Sequence, residues 1–416
     1  MQNYKLSDET KTLPCGTVLH RIVATTTFTL ACGLTIPEGD VGGWIEKEPN
    51  LSDNAWVFGN AQVYGNAKVY DNALIYCNAK VCDDAQVSGD AEVSDNAWVF
   101  GNAKVSGNAQ VYGNTWVSGN AKVCDKALVC SNAKVFGDAQ VCDNTQVYGY
   151  ALVSGYAQVY DDAQVFGNAQ VSDNAQVCDN AQVFGDAQVF SDAKVSCNAK
   201  VYGGAQIYVN AKVYGDAWVS GNAQVYGDAE VFGDAQIYDD AQVRGNAQVS
   251  GNAKIYGDAE VFGDAQVFSN AKVFGDAWVS GDAQIYDAAK VSGDAQIYDE
   301  AKVFGNAWVS GDARVSCNAQ VYDNARVRGN ALASGNALVS DNALVSGDAK
   351  VMSASDYIVF KNDWLPGRYF TWTKSNDMWA EGRFYGTGDE LIEKAYTHSE
   401  DNGKHYAACV KLVKTL

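Results

Sequence analysis

The sequence predicts an all-β chain wound into a single-stranded parallel β-helix, a triangular solenoid of about 17 coils with a cap at each end. Three observations predict it. From Asp53 to Met352 the chain is 50 consecutive six-residue repeats without insertion or deletion. Counting every sixth residue from Ala55, 48 of the 50 are Ala and the others are Thr115 and Thr145; two places on, 43 are Val, six Ile and one is Ala333. All four prolines (Pro14, Pro37, Pro49 and Pro366) lie outside the repeats, as a chain requires if nearly every backbone N–H donates to a neighbouring strand.

The unit reads Ala-x-Val-x-Gly-(Asn/Asp), as in Ala61 to Asn66. Its first four residues alternate with period two, so Ala and Val face one side of a short strand. The Gly-(Asn/Asp) pair suits left-handed backbone angles and marks a corner. A strand and a corner every six residues cannot bury an apolar face alone. The chain must coil, and three repeats per coil give a triangular prism in which each strand pairs above and below. At ~4.8 Å per coil the rod is expected to run roughly 80 Å. Three Ala and three Val per coil close-pack, so no internal pocket is expected. Asn and Asp, present at the last corner position in 44 of 50 repeats, are expected to form ladders that pin the register.

Three regions follow: a β cap over 1–52, the solenoid over 53–352, and a small α+β cap or head over 353–416. In the first, Thr17 to Ala24 reads as a strand and Pro37 to Asp40 as a turn. In the last, Arg368 to Thr373 and Met378 to Tyr385 read as a hairpin turning at Ser375 to Asp377. Thr387 with Glu390 forms a capping box for a helix over Asp389 to Tyr396, and a final strand is expected over Ala408 to Val413.

The repeat resembles that of the bacterial hexapeptide-repeat family, and the resemblance implies a left-handed parallel β-helix. The segment Gly42-Gly43-Trp44-Ile45-Glu46-Lys47-Glu48, with Asn50-Leu51-Ser52 leading into Asn54-Ala55-Trp56-Val57, is similar to the opening of the YdcK-type proteins of bacteria and their phages. That resemblance implies acyltransferase activity, with a histidine as general base on a coil or on a loop that interrupts the coils. Here the three histidines, His20, His398 and His405, all lie outside the repeats, and no loop interrupts them. No catalytic residue, metal site or cofactor is therefore expected, and the acyltransferase reading stands as the alternative.

The formal net charge is −20, which disfavours binding to nucleic acid or to anionic membranes. The repeats hold 35 Asp+Glu against 18 Lys+Arg, a net of −17. An acidic decoy for a DNA-binding protein is a further alternative. The amino terminus has no apolar signal segment, and the eleven cysteines read as free thiols of a cytoplasmic protein, with Cys124 and Cys142 stacked one coil apart. Six outward tryptophans (Trp56, Trp98, Trp116, Trp218, Trp278 and Trp308) fall on two of the three faces, where the outer surface offers contacts to a partner or a second copy. The leading expectation is a non-catalytic rod that presents its C-terminal head to a protein partner. Trp364, Trp372, Trp379, Phe384 and Tyr385 are the candidate contact residues.

Overall fold

The computed structural model describes residues 3–362 and 368–416, in two compact units, Met1–Asp216 and Ala217–Leu416. In both, each repeat contributes a short strand that pairs in parallel with the strand 18 residues away: Lys80 lies opposite Trp98 in the first unit and Gln236 opposite Lys254 in the second. Three repeats therefore close one coil of a parallel β-solenoid. The strands run from Trp56–Val57 to Lys212–Val213 in the first unit and from Trp218–Val219 to Lys350–Val351 in the second. No helix among the described residues is long and apolar enough to cross a membrane.

The interior is the predicted Ala and Val column, fully buried along both units. Thr115 and Thr145 occupy Ala positions and are also fully buried. Their hydroxyls differ. Thr145 Oγ1 donates to the carbonyl of Cys142 and, at 3.3 Å, to that of Val159, whereas Thr115 Oγ1 has no partner. An unsatisfied buried hydroxyl costs more than the methyl beside it gains. Thr115→Ala is expected to raise stability by about 1 kcal/mol and Thr145→Ala to lower it by about as much, read from urea midpoints.

The corners explain the Gly/Asp alternation. The first corner residue is left-handed, with φ of 69° at Gly65 and 59° at Asp71. The ladder takes up the N–H of the second corner residue, as where Asn72 donates to the Gly89 carbonyl at 3.0 Å. The N–H of the first needs another acceptor. Where that corner is Asp, its carboxylate provides one for the next coil: the N–H of Gly89 donates to Asp71 Oδ2 at 3.0 Å, and that of Gly257 to Asp239 Oδ2 at 3.2 Å. The second corner residue builds the expected ladder between side chains: Asn78 donates to Asn96, Asn96 to Asn114 and Asn114 to Asn132. Ionised Asp only accepts, so it ends such a run, as Asp138 does after Asn102 and Asn120.

Outside the coils, the residue after Val forms aromatic ladders. Tyr148, Phe166, Phe184 and Tyr202 stack with ring centroids 4.8–5.0 Å apart, and Phe268, Tyr286, Phe304 and Tyr322 do the same in the second unit. Cys124 and Cys142 occupy two such outward positions. The expectation of free thiols fails for this pair. The 18-residue repeat brings their Cα atoms to 4.6 Å, within bridging distance, and they form a disulfide; the other nine cysteines are free. Asp125 lies beside the two sulfurs, which are bonded to each other rather than arranged as ligands.

Ionisation of the outward tyrosines has a pH consequence. Burial and a hydrogen bond to Cys82 push the Tyr64 hydroxyl above its ordinary pKa; a hydrogen bond to Cys178 and burial do the same for Tyr160. Groups with raised folded-state pKa values stabilise the fold fully below the unfolded value, near 10 for tyrosine, and lose that contribution as pH rises beyond it. Stability is expected to be insensitive to these groups through neutral pH and to fall above about pH 10, with Tyr64→Phe and Tyr160→Phe flattening the decline.

The first unit opens with an antiparallel cap. Tyr4–Thr12 pairs with Val18–Ala24, which pairs with Val41–Ile45. That third strand also runs parallel to Gln62–Val63, and Leu51 bridges in parallel to Val69, so the solenoid geometry begins before the repeat pattern does. Phe28 packs edge-on against Trp56 at 5.4 Å, and Trp56, read as an outward residue, is fully buried beneath the cap. Asn50 is fully buried and holds the junction: its Oδ1 accepts from the Lys47 N–H at 2.9 Å and its Nδ2 donates to the Ala67 carbonyl at 2.8 Å.

The second unit ends in an α+β head. Four antiparallel strands, Tyr357–Asn362, Arg368–Thr373, Met378–Glu381 and Phe384–Gly386, pair in chain order, with Thr373 opposite Met378 across the predicted turn. Helix α1 (Gly388–His398) starts at the predicted capping box, Thr387 with Glu390. The expected strand over Ala408 to Val413 is instead part of helix α2 (Glu400–Val413). Ser399 caps it, and Gly403, Tyr406, Val410 and Val413 are buried at spacings of three and four. The short run of Ala, Cys and Val is compatible with either structure, and packing against the sheet selects the helix.

Candidate anion-binding cleft at the C-terminal head

The last coils present strand N–H groups with no further coil to receive them. The head supplies side-chain oxygens instead. Leu344 N–H donates to Thr371 Oγ1 at 2.8 Å, Lys350 N–H to Ser375 Oγ at 2.7 Å, and Ser340 N–H to Tyr357 Oη at 3.2 Å. Arg328 Nη2 donates to the Gly382 carbonyl at 2.8 Å, and Tyr385 lies against Gly347 of the last coil. Burial and the neighbouring Arg326 charge push the Arg328 guanidinium below its ordinary pKa.

Between head and coils lies an open cleft of about 650 Å³. Arg326 enters from the coil side, Arg368 from a head strand, Arg383 from the turn after Glu381, and Lys394 from α1. Among the described residues, Glu381 is the one carboxylate lining it. Glu381 is buried, accepts from Tyr406 Oη at 2.7 Å, and lies 3.3 Å from Lys394 Nζ and 3.8 Å from Arg368 Nη1. Among the described residues, no carboxylate pairs with Arg326 or Arg383. Both are exposed. Among the described residues the cleft therefore gathers four cations and one anion, in a chain of net charge −20.

The candidate contact residues are placed differently. Trp372 and Trp379 are buried in the head's own core with Phe370, Leu391 and Tyr406, and Phe384 packs half-buried against it. Tyr385 retains exposure, with its hydroxyl 3.0 Å from the Asn376 side-chain amide, and Trp364 lies outside the described residues. Among the outward tryptophans of the coils, Trp116, Trp218, Trp278 and Trp308 remain exposed. His20 Nδ1 is 3.2 Å from the Ser7 carbonyl oxygen in the amino-terminal cap; His398 Nδ1 is 3.1 Å from that of Lys394 at the end of α1. The cleft cations escaped the sequence reading. A signal was present: of four arginines in the repeats, Arg314, Arg326 and Arg328 crowd into the last coils, with only Arg244 elsewhere.

These features define a β-solenoid protein with a terminal head. Residues 157–173 and 319–335 match the family model described as the YdcK beta solenoid repeat, so these two segments are similar to YdcK-type repeats. A search of curated proteins gives no match. Among solved structures, the chain is similar to a candidate acetyltransferase from Desulfovibrio desulfuricans G20 at 11% identity and a TM-score of 0.18, over 64% of this chain and 67% of that one.

Proposed function

We propose that the chain is a non-catalytic solenoid scaffold that presents its C-terminal head to a protein partner. The observation that carries this reading is the cationic cleft, because covering the last coil requires hydroxyls such as Thr371 and Ser375 but no gathering of arginines and a lysine. The head also has a complete apolar core of its own, so it is more than a minimal cover. Its several hydrogen bonds to the last coils hold it in a set orientation, which suits display.

The test uses the 416-residue chain immobilised and exposed to host lysate, beside an Arg326→Glu/Arg383→Glu variant of matched thermal stability. A stoichiometric partner retained by the first and lost by the second is the expected result. A partner retained equally by both removes the head from the reading. Saturable acetyl-CoA binding by calorimetry, with transfer to an acceptor, would replace it with the acyltransferase alternative.

A further inference from the structure

We infer that the cleft is a binding site for a small ligand carrying a phosphate dianion. The inference goes beyond the scaffold reading and does not depend on it. Glu381 already neutralises part of the charge of Lys394 and Arg368, which it holds at 3.3 and 3.8 Å. Arg326 and Arg383 are left with no carboxylate among the described residues, and both line the same cleft, one from the coils and one from the head. A monocarboxylate needs one guanidinium fork. Two guanidiniums without a carboxylate partner among the described residues, Arg326 lying 5.9 Å from the Trp308 ring, with a lysine and a third arginine beside them, match the charge and the multiple acceptor oxygens of a phosphate monoester.

Glu381 also prearranges the site. Its carboxylate is buried, anchored by the Tyr406 hydroxyl at 2.7 Å, and that hydroxyl in turn accepts from Asn362 Nδ2 at 2.8 Å. Lys394 and Arg368 on the head side are thus held by a buried network, whereas Arg383 is exposed beside them. The amides of Asn324 and Asn342 add neutral hydrogen-bonding groups on the coil wall, and Tyr369 adds an aromatic edge. The volume, about 650 Å³, suits a small molecule. An extended polyanion is disfavoured, because the repeats leading to the cleft carry a net charge of −17 and repel it.

The experiment is calorimetric titration of the full chain with phenyl phosphate at pH 7.5, with benzoate and phenyl sulfate as monoanionic controls and inorganic phosphate as the free ion. Saturable one-to-one binding of phenyl phosphate is expected, weakened at least about tenfold by either Arg326→Ala or Arg383→Ala. Lys302→Ala, on the coils outside the cleft, is expected to leave it unchanged. Inorganic phosphate binding as tightly as phenyl phosphate would assign the site to the free ion rather than to an ester and overturn the ester. Benzoate or phenyl sulfate binding as tightly would overturn the dianion. No saturable binding by a protein whose circular dichroism shows it folded, or binding indifferent to both arginine substitutions, would overturn the site itself. Loss of a protein partner in the lysate experiment has no bearing on any of these outcomes, so the two readings fail separately.

Discussion

Glu381→Ala is expected to destabilise the head by about 2–3 kcal/mol, while Glu381→Gln costs about 1 kcal/mol and strengthens anion binding several-fold. The Tyr406 hydroxyl is buried and donates to Glu381 Oε1, while Asn362 donates to the same hydroxyl from the other side. Alanine removes the acceptor of that proton, and a buried hydrogen bond to an ionised group is the stronger kind. The lost ion pairs add little, because Arg368 is half exposed and Lys394 about a third exposed, and both cations can return to water. Glutamine keeps an acceptor for Tyr406 and removes the cleft's negative charge. The predicted signs are therefore opposite: lower stability, tighter phosphate. Urea unfolding followed by tryptophan emission reads the first, since Trp372 and Trp379 lie in the head core, and calorimetry reads the second. Weaker phosphate binding by Glu381→Gln would mean that the carboxylate positions the cations more than it neutralises them.

Replacing Cys124 and Cys142 together by serine is expected to cost the first unit about 3 kcal/mol relative to the oxidised protein. The bond closes a loop of one coil, 18 residues, and its main effect in the chain-entropy account is to restrict the unfolded ensemble. In a solenoid each coil contacts chiefly its neighbours, so the loss is expected to appear locally. Hydrogen exchange should quicken over the strands Lys122–Val123 and Gln140–Val141 and their nearest neighbours, and little elsewhere. The double variant should also match wild-type protein unfolded under reducing conditions. A reduced wild-type protein as stable as the oxidised form would show that stacking alone supplies the local stability.

The solenoid was legible because its information is local and repeated. Ala at one position, Val two places on and a left-handed residue two places further specify strand, inward face and corner in every unit, and 18-residue pairing follows from closing three of them. The Thr387–Glu390 capping box and the hairpin turn at Ser375 to Asp377 were readable for the same reason, since each is decided by a few adjacent residues. The Ala408 to Val413 run was misread because its intrinsic preference is weak. Only burial of Tyr406, Val410 and Val413 against Phe370 and Trp379 makes it helical.

The candidate site was almost wholly illegible. Trp372 and Trp379 have the residue types of a contact surface, yet the head closes around them, because a small domain with few apolar residues must use its largest ones internally. Arg326 is 42 residues before Arg368 and 57 before Arg383, and nothing in those intervals says that the turn after Glu381 folds back toward the coils.

By itself the sequence determined the parallel solenoid, its three-repeat coil, its buried Ala–Val interior and its laddered corners, because each depends on a period and on residues at most one coil apart. Tertiary structure decided the rest. It closed Cys124 onto Cys142 by the stacking distance, covered Trp56 with Phe28, made the last segment a helix, and brought Arg326, Arg368, Arg383 and Lys394 to one cleft with Glu381. Those outcomes depend on which non-repeating segments dock against which coil, and on how much water they exclude, a property of the packed chain that no short window of residues contains.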